Sequence, residues 1–228
     1  MTADKTPEII NKMFDDISGE YDFMNDVISF GFHRLIKNRC INLLNIKDGY
    51  NIVDLCCGTG DLARLIKKNY PKTHVTGMDF SEKMINIAKN IKQKADIQFL
   101  HGDVTNLPFP DNSFDAVTMA FGLRNIYNAE KAVEEAYRIL KPDGLFMHID
   151  FGEKNFAGSI FDFMALFLAR FFSNNYSAYS YLIKSKQEFL KPDDLIKDFE
   201  KKGFKKLRRE DFIFKIISCQ IMRKCSKQ

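Results

Sequence analysis

The chain has 228 residues, 45% of them hydrophobic and 28% charged, with 12 glycines and 6 prolines. That profile excludes disorder, collagen-like repeats and disulfide miniproteins, and the length suits one domain with a substantial core. Lys and Arg number 34 against 30 Asp and Glu, and this formal charge of +4 is mild and spread out, giving nucleic-acid binding little support.

The N-terminus MTADKTPEII lacks the basic, apolar and small-residue segments of a secretory leader. The five cysteines, two of them adjacent, suggest no disulfide framework, so a reducing, cytoplasmic setting is expected. Thr6 can cap a helix that starts at Pro7, with Ile9, Ile10, Met13, Phe14 and Ile17 at helical spacing. GEYDFMNDVISFG then breaks the period, and a second helix is expected from His33 to about Leu44.

From residue 51 short apolar runs alternate with amphipathic stretches. Strands are expected at Asn51 to Cys57, Val75 to Asp79, Ile97 to Asp103, Phe114 to Phe121 and Leu145 to Phe151. A helix with Ala129, Ala132, Val133, Ala136, Ile139 and Leu140 on one face precedes the last strand, and Lys141-Pro142-Asp143-Gly144 stops it. The alternation predicts an open α/β fold with a mostly parallel sheet.

After Phe151 it lapses for about 50 residues. Phe156 to Phe172 reads as a helix apolar nearly all round except for a strip of Gly158, Asp162, Ala165 and Ala169, and such a helix is expected to be buried. It is short of the ~20 residues of a membrane span. Pro192 to Lys202 reads as a helix and Phe204 to Met222 as a closing antiparallel pair. The expected layout is one domain: an N-terminal helical cap (1–48), a cofactor-binding core (49–152), an apolar lid with helices (153–203) and closing strands (204–228).

The most informative segment is Val53-Asp54-Leu55-Cys56-Cys57-Gly58-Thr59-Gly60-Asp61. A strand running through Gly-x-Gly into a helix leaves backbone amides facing a nucleoside-containing cofactor. A pyrophosphate would lie beside the carboxylates of Asp54 and Asp61, whereas the ammonium and sulfonium of S-adenosylmethionine would be attracted by them. Asp79, 19 residues after Gly60, ends the second strand where a carboxylate can take both ribose hydroxyls. Asp103, with the backbone of Val104, could face the adenine edge. Each acid alone could equally be a helix cap or a solvated turn.

The fourth strand leads into Met119-Ala120-Phe121-Gly122-Leu123-Arg124-Asn125, without the Asn/Asp-Pro-Pro-aromatic signature of amino-group methylation. Together with Tyr21-Asp22-Phe23-Met24-Asn25-Asp26, Ser29-Phe30-Gly31-Phe32-His33-Arg34, Leu107-Pro108-Phe109-Pro110-Asp111, Arg138-Ile139-Leu140-Lys141-Pro142 and the Tyr179-x-Tyr181-Leu182 region, this chain resembles the ubiquinone/menaquinone biosynthesis C-methyltransferase family along nearly its whole length. The Cys56-Cys57 pair and Asp79-Phe80-Ser81-Glu82 look closer to the menaquinone branch. Asp143 departs from the family's more usual Gly, and the Met222-Arg223-Lys224-Cys225 end departs from its common aromatic-glycine pattern.

The resemblance implies a seven-stranded class I methyltransferase fold, S-adenosylmethionine as donor, a polyprenylated quinol as acceptor, and Thr59, Asp79, Asp103 and Val104 as donor contacts. Asp54, Gly58, Gly60, Phe80 and Ala120 complete the expected donor-binding set. Arg124 is expected to lower the pKa of a quinol hydroxyl and Asn125 to orient its oxygen. Asp150, His33, Tyr21 and Asp22 are candidates for the proton acceptor, directly or through water, though His33 could equally be a satisfied buried side chain and Asp150 a turn cap.

The 22 phenylalanines could shelter an isoprenoid tail or simply form core. Lys184, Lys186, Lys191, Lys201, Lys202, Lys205 and Lys206 could touch anionic headgroups at the inner face of a membrane, or be a solvated face. A homodimer is compatible with the sequence, and no histidine shows metal-ligand spacing. The rival readings are an RNA or protein methyltransferase, a non-catalytic binder of the same donor, and an NAD-dependent oxidoreductase, which Asp54 and Asp61 disfavour.

Overall fold

A computed structural model of the chain describes residues 6–91 and 96–225; the first five residues of the leader reading lie outside them. Three N-terminal helices, α1 (Pro7–Ile17), α2 (Tyr21–Ser29) and α3 (Phe32–Asn42), precede the alternating region. That region runs β1 (Asn51–Leu55), α4 (Asp61–Asn69), β2 (His74–Asp79), α5 (Glu82–Asn90), β3 (Ile97–His101), β4 (Phe114–Ala120), a 3-10 turn at Leu123–Asn125, α6 (Ala129–Ile139) and β5 (Leu140–Phe151). Then come α7 (Phe156–Phe172), α8 (Tyr176–Glu188), α9 (Pro192–Lys201), β6 (Phe204–Phe212) and β7 (Ile217–Lys224).

The strands form one seven-stranded sheet in the order β3-β2-β1-β4-β5-β7-β6. β1 to β5 pair in parallel, while β7 is antiparallel to both neighbours, as the closing strands were expected to be. Most residues of β1 and β4, including consecutive ones that point to opposite faces, are buried, as in parallel strands covered by helices. One core cluster joins Val53, Val117 and Phe146 to α6 and α9, and the other joins Ile52, Ala116 and Ile149 to α3 and α4. The order in which strands are laid across the sheet reverses between β1 and β4, and the crevice beyond their carboxyl ends is where an open α/β sheet takes ligands.

Several expected boundaries move, each for a local reason. β1 and β4 stop one or two residues early because Cys56 (φ 55°) and Phe121 (φ 59°) are left-handed, a conformation that ends a strand. β5 begins already at Leu140, paired with Phe114 across a register shift. Asp143 sits inside it at φ 61°; the family's more usual glycine suits that position, and Asp tolerates it.

Two helices escaped the sequence pattern. α2 occupies the stretch read as a break, and Glu20, at the cap position before it, makes no side-chain cap bond. Met24 holds it by packing with Ala169 and Tyr179. α8 is capped by Asn175, whose Oδ1 accepts the Ala178 amide, but its mixture of Tyr, Ser and Lys hides its periodicity.

The orientation of α7 is opposite to expectation. Its buried residues are Gly158, Asp162, Ala165 and Ala169, the strip of small and polar residues, while Phe156, Ile160, Phe163, Phe167 and Phe171 face outward. The small side chains let α2 and α8 pack closely on this strip, and Lys186 of α8 neutralises Asp162 there.

Candidate functional site

The glycine turn is built to bring backbone, rather than side chains, to the crevice. Gly58 (φ 55°) and Gly60 (φ 83°) are left-handed, and Asp79 pins the turn by accepting the Gly58 amide at 2.7 Å on Oδ2 and the Ser81 amide at 2.9 Å on Oδ1. Across the switch point Gly122 passes so close to β1 that a Cβ would fall 2.4 Å from that of Cys56. Only glycine permits that approach.

Two cavities flank this contact. The first is walled by Pro7, Ile10 and Phe14 of α1, by Gly58, Asp79, Phe80, Asp103 and Val104, and by the Asn125–Asn128 segment. The second lies under α2, α7 and α8 and is walled by His33, Lys37, Asp54, Arg124, Phe151 and Phe161, among others. Tyr21, Cys56, Gly58, Ala120 and Phe121 belong to both walls. Cys56 and Phe121 both hold non-glycine left-handed conformations at this wall.

The residues of the first cavity fit a nucleoside donor. Each Asp79 oxygen keeps acceptor capacity after its amide bond, and burial pushes its carboxyl pKa up against the pull of those amides. Among the described residues the Asp103 carboxylate accepts the Thr105 amide on Oδ1 at 2.8 Å, leaving its other oxygen for a ligand. Asn125 lines the same cavity, and its Oδ1 is buried without a partner among the described residues, an orphan that calls for a donor group.

Several expected contacts fall elsewhere. Thr59 lies in the second wall and donates its hydroxyl to Asp22 at 2.7 Å, and Gly60 lines neither of these cavities. Asp54 also faces the second cavity; Thr118 donates to its Oδ1 at 2.7 Å, Oδ2 has no partner, and burial raises its pKa to about 7. Asp61 is neutralised by Lys37 at 2.6 Å. Burial works against both charges of that pair, yet mutual attraction keeps the Asp61 pKa below and the Lys37 pKa above their ordinary values. Of the four acids, Asp79 and Asp103 line the first cavity, while Asp54 and Asp61 line the second. Lys37, 24 residues from its partner, carries no local signal of this role.

Arg124 and Asn125, adjacent in sequence, divide between the cavities, Arg124 entering the second and Asn125 the first. Arg124 Nη1 donates to the Phe121 carbonyl at 2.6 Å and to Asp150 Oδ1 at 3.0 Å, its plane lies over the Phe151 ring at 4.9 Å, and Nε is buried without a partner. Asp150 lines neither cavity and serves Arg124 from behind. Beyond it, His148 Nδ1 donates to Gln220 at 2.7 Å, an orientation fixed because Gln220 donates in turn to Ser218. The lone pair of His148 Nε2 thus meets Asp150 Oδ2 at 4.0 Å, a separation expected of two acceptors.

His33 and Tyr21 do enter the second cavity. The Ser29 hydroxyl gives its one proton to the Asn25 carbonyl at 2.6 Å, so it accepts from His33 Nδ1 at 2.6 Å and leaves Nε2 as the basic nitrogen. Burial, then Lys37, lowers the His33 pKa, which keeps the ring neutral at neutral pH. Burial raises the Tyr21 pKa and keeps it a protonated phenol.

Comparison with known proteins agrees with this geometry. Residues 1–224 match the model of the ubiE/COQ5 methyltransferase family. Demethylmenaquinone methyltransferases of Listeria welshimeri and Thermotoga maritima are each 37% identical, the first over 88% of this chain and 89% of its own, the second over 88% and 90%. That of Staphylococcus aureus is 33% identical over 90% and 88%. Among solved structures, a SAM-dependent methyltransferase from Thermotoga maritima superposes with a TM-score of 0.70 at 22% identity over 93% of this chain and 99% of that one. The [4+2]-cyclase SpnF gives 0.75 at 14% identity over 100% and 98%; both are likenesses of fold. The chain belongs to the ubiE/COQ5 family of S-adenosylmethionine-dependent methyltransferases.

Proposed function

We propose that the protein methylates a ring carbon of a polyprenylated quinol, with demethylmenaquinol as the acceptor. The observation that carries this reading is the pair of cavities sharing Tyr21, Cys56 and Phe121 in their common wall, one suited to the nucleoside donor and the other setting the apolar Ile28, Phe151, Phe161, Leu182 and Ile183 beside Arg124 and His33. The names of the 33–37% identical relatives favour the menaquinone precursor.

S-adenosylmethionine, when bound, supplies an electrophilic methyl group; Asp79, Asp103, Asn125 and the Gly58 turn would hold it. The chain's own residues make the nucleophile. A hydroquinone ring carbon becomes nucleophilic when a ring hydroxyl gives up its proton, and His33 Nε2 is the base suited to take it. Arg124 stabilises the resulting phenolate with its guanidinium charge, held in place by Asp150 and the Phe121 carbonyl. After carbon–carbon bond formation the ring carbon's own hydrogen leaves as a proton and the oxygen is reprotonated, restoring the aromatic quinol with net release of one proton. Asp150, bonded to Arg124 and outside the cavity, is a positioning residue in this scheme, and Tyr21 is a phenolic donor at the shared wall.

The test is transfer of labelled methyl from S-adenosylmethionine to chemically reduced demethylmenaquinone, to its oxidised form and to a methoxy-benzoquinol. Label is expected on the reduced naphthoquinol and not on the oxidised ring. Because His33 must be neutral, turnover should be level through neutral pH and fall as pH drops through the lowered His33 pKa. Labelling of the oxidised ring, or of RNA in place of any quinol, would refute the reading.

A further inference from the structure

We propose that the outer face of α7 is a docking surface for an anionic lipid bilayer. Phe156, Ile160, Phe163, Phe167 and Phe171 recur at steps of four, three, four and four residues, forming one stripe about 22 Å long at 1.5 Å per residue. These five side chains are 53% to 82% exposed. A continuous apolar patch of this kind is uncommon on a surface that meets only water and marks an interaction site. It is not core displaced outward, because the inner strip of α7 is already filled by contacts with α2 and α8.

The occupant follows from charge and from what lies behind the helix. α7 carries two charged residues; Asp162 is buried on Lys186, and Arg170 is exposed beside the stripe. Exposed Lys154 precedes the helix. An aromatic stripe flanked by cations and free of exposed carboxylates matches a helix lying in the plane of an anionic membrane interface. The opposite face of the same helix, through Phe161 and Ala165, walls the second cavity. Docking would therefore set that cavity one helix diameter from the hydrocarbon, where an isoprenoid tail resides; this link to the acceptor rests on the quinol reading above.

The C-terminal lysines singled out from sequence do not form the contact as a group. Lys186 is buried, while Lys201 and Lys202 bond Asp198, Glu130 and Glu134. Lys205 and Lys206 lie on β6, the edge strand of the sheet, where lysines commonly deter strand addition.

The experiment compares the full chain with its Phe163→Glu/Phe167→Glu variant. Each is floated with phosphatidylglycerol–phosphatidylcholine vesicles, with phosphatidylcholine vesicles and without lipid; sedimentation velocity without lipid gives the oligomeric state. The wild type is expected to float with the anionic vesicles, and the variant, folded by circular dichroism, to lose this about tenfold or more. The variant should keep turnover on a tail-less quinol and lose it on a long-tailed quinol held in vesicles. No flotation of the wild type, equal flotation of both proteins, or a lipid-free dimer that the double substitution splits would overturn the proposal. Variant-sensitive flotation with no turnover on any quinol would support the surface and refute the quinol reading instead.

Discussion

Asp54 shows how little a residue's chemistry follows from its position in a motif. Its place before the glycine turn suggests a carboxylate that attracts the donor, but its environment holds it protonated up to about pH 7. The unfolded carboxyl ionises near its ordinary value of 3.8, so between these two values the unfolded state loses a proton that the folded state retains. Stability therefore falls as pH rises from about 4 to about 7, and the full cost, at most about 4 kcal/mol, is present above it. Asp54→Asn keeps an oxygen for Thr118 and removes this cost. Its gain in denaturation midpoint over the wild type should be small in mild acid and grow on the alkaline side; a gain independent of pH would show that Asp54 is ionised in the fold. The positions of Asp79 at the end of β2 and Asp103 just beyond β3, where both line the first cavity, could be placed from sequence because they follow from the strand pattern alone. The Lys37–Asp61 pair could not, since it joins α3 to α4 through tertiary packing alone.

At the scale of elements, α7 separates composition from orientation. Helical periodicity placed its limits correctly, since the N-cap Asn155 and the apolar run are local signals. Which face turns inward depended on α8, a helix with little hydrophobic pattern of its own, and on a charge partner that local sequence does not reveal. Lys186 meets Asp162 in a setting where both side chains are about nine-tenths buried, and it lies over the rings of Phe151 and Phe161 at 4.9 and 5.3 Å. Removing one partner leaves a buried, uncompensated charge. Asp162→Ala is thus expected to cost about 3–5 kcal/mol in urea unfolding, whereas Asp162→Leu/Lys186→Met, which removes both charges, should cost far less. Equal losses in the two variants would show that shape, rather than charge, holds α7 on α8. α2 escaped for a related reason, being anchored by Met24 against α7 rather than by a cap or a regular stripe.

For the whole molecule, the strand order places the ends of β1 and β4 side by side, and the left-handed residues Cys56 and Phe121 turn both chains out of the sheet at that point. The mostly parallel sheet could be read from five apolar runs alternating with amphipathic stretches, because a parallel sheet buried on both faces leaves a strong linear signal. The division into two cavities could not, because α2, α7 and α8 from distant parts of the chain roof the second one. That division makes the central claim testable on one variant: for Arg124→Ala, turnover on the reduced quinol and affinity for S-adenosylhomocysteine are measured together. Turnover should fall about 100- to 1,000-fold, the loss typical of removing one stabiliser of developing negative charge, with affinity for the nucleoside unchanged. Turnover close to that of the wild type, or a loss explained by weaker binding of S-adenosylhomocysteine, would contradict the assignment of Arg124 to the acceptor side of the shared wall.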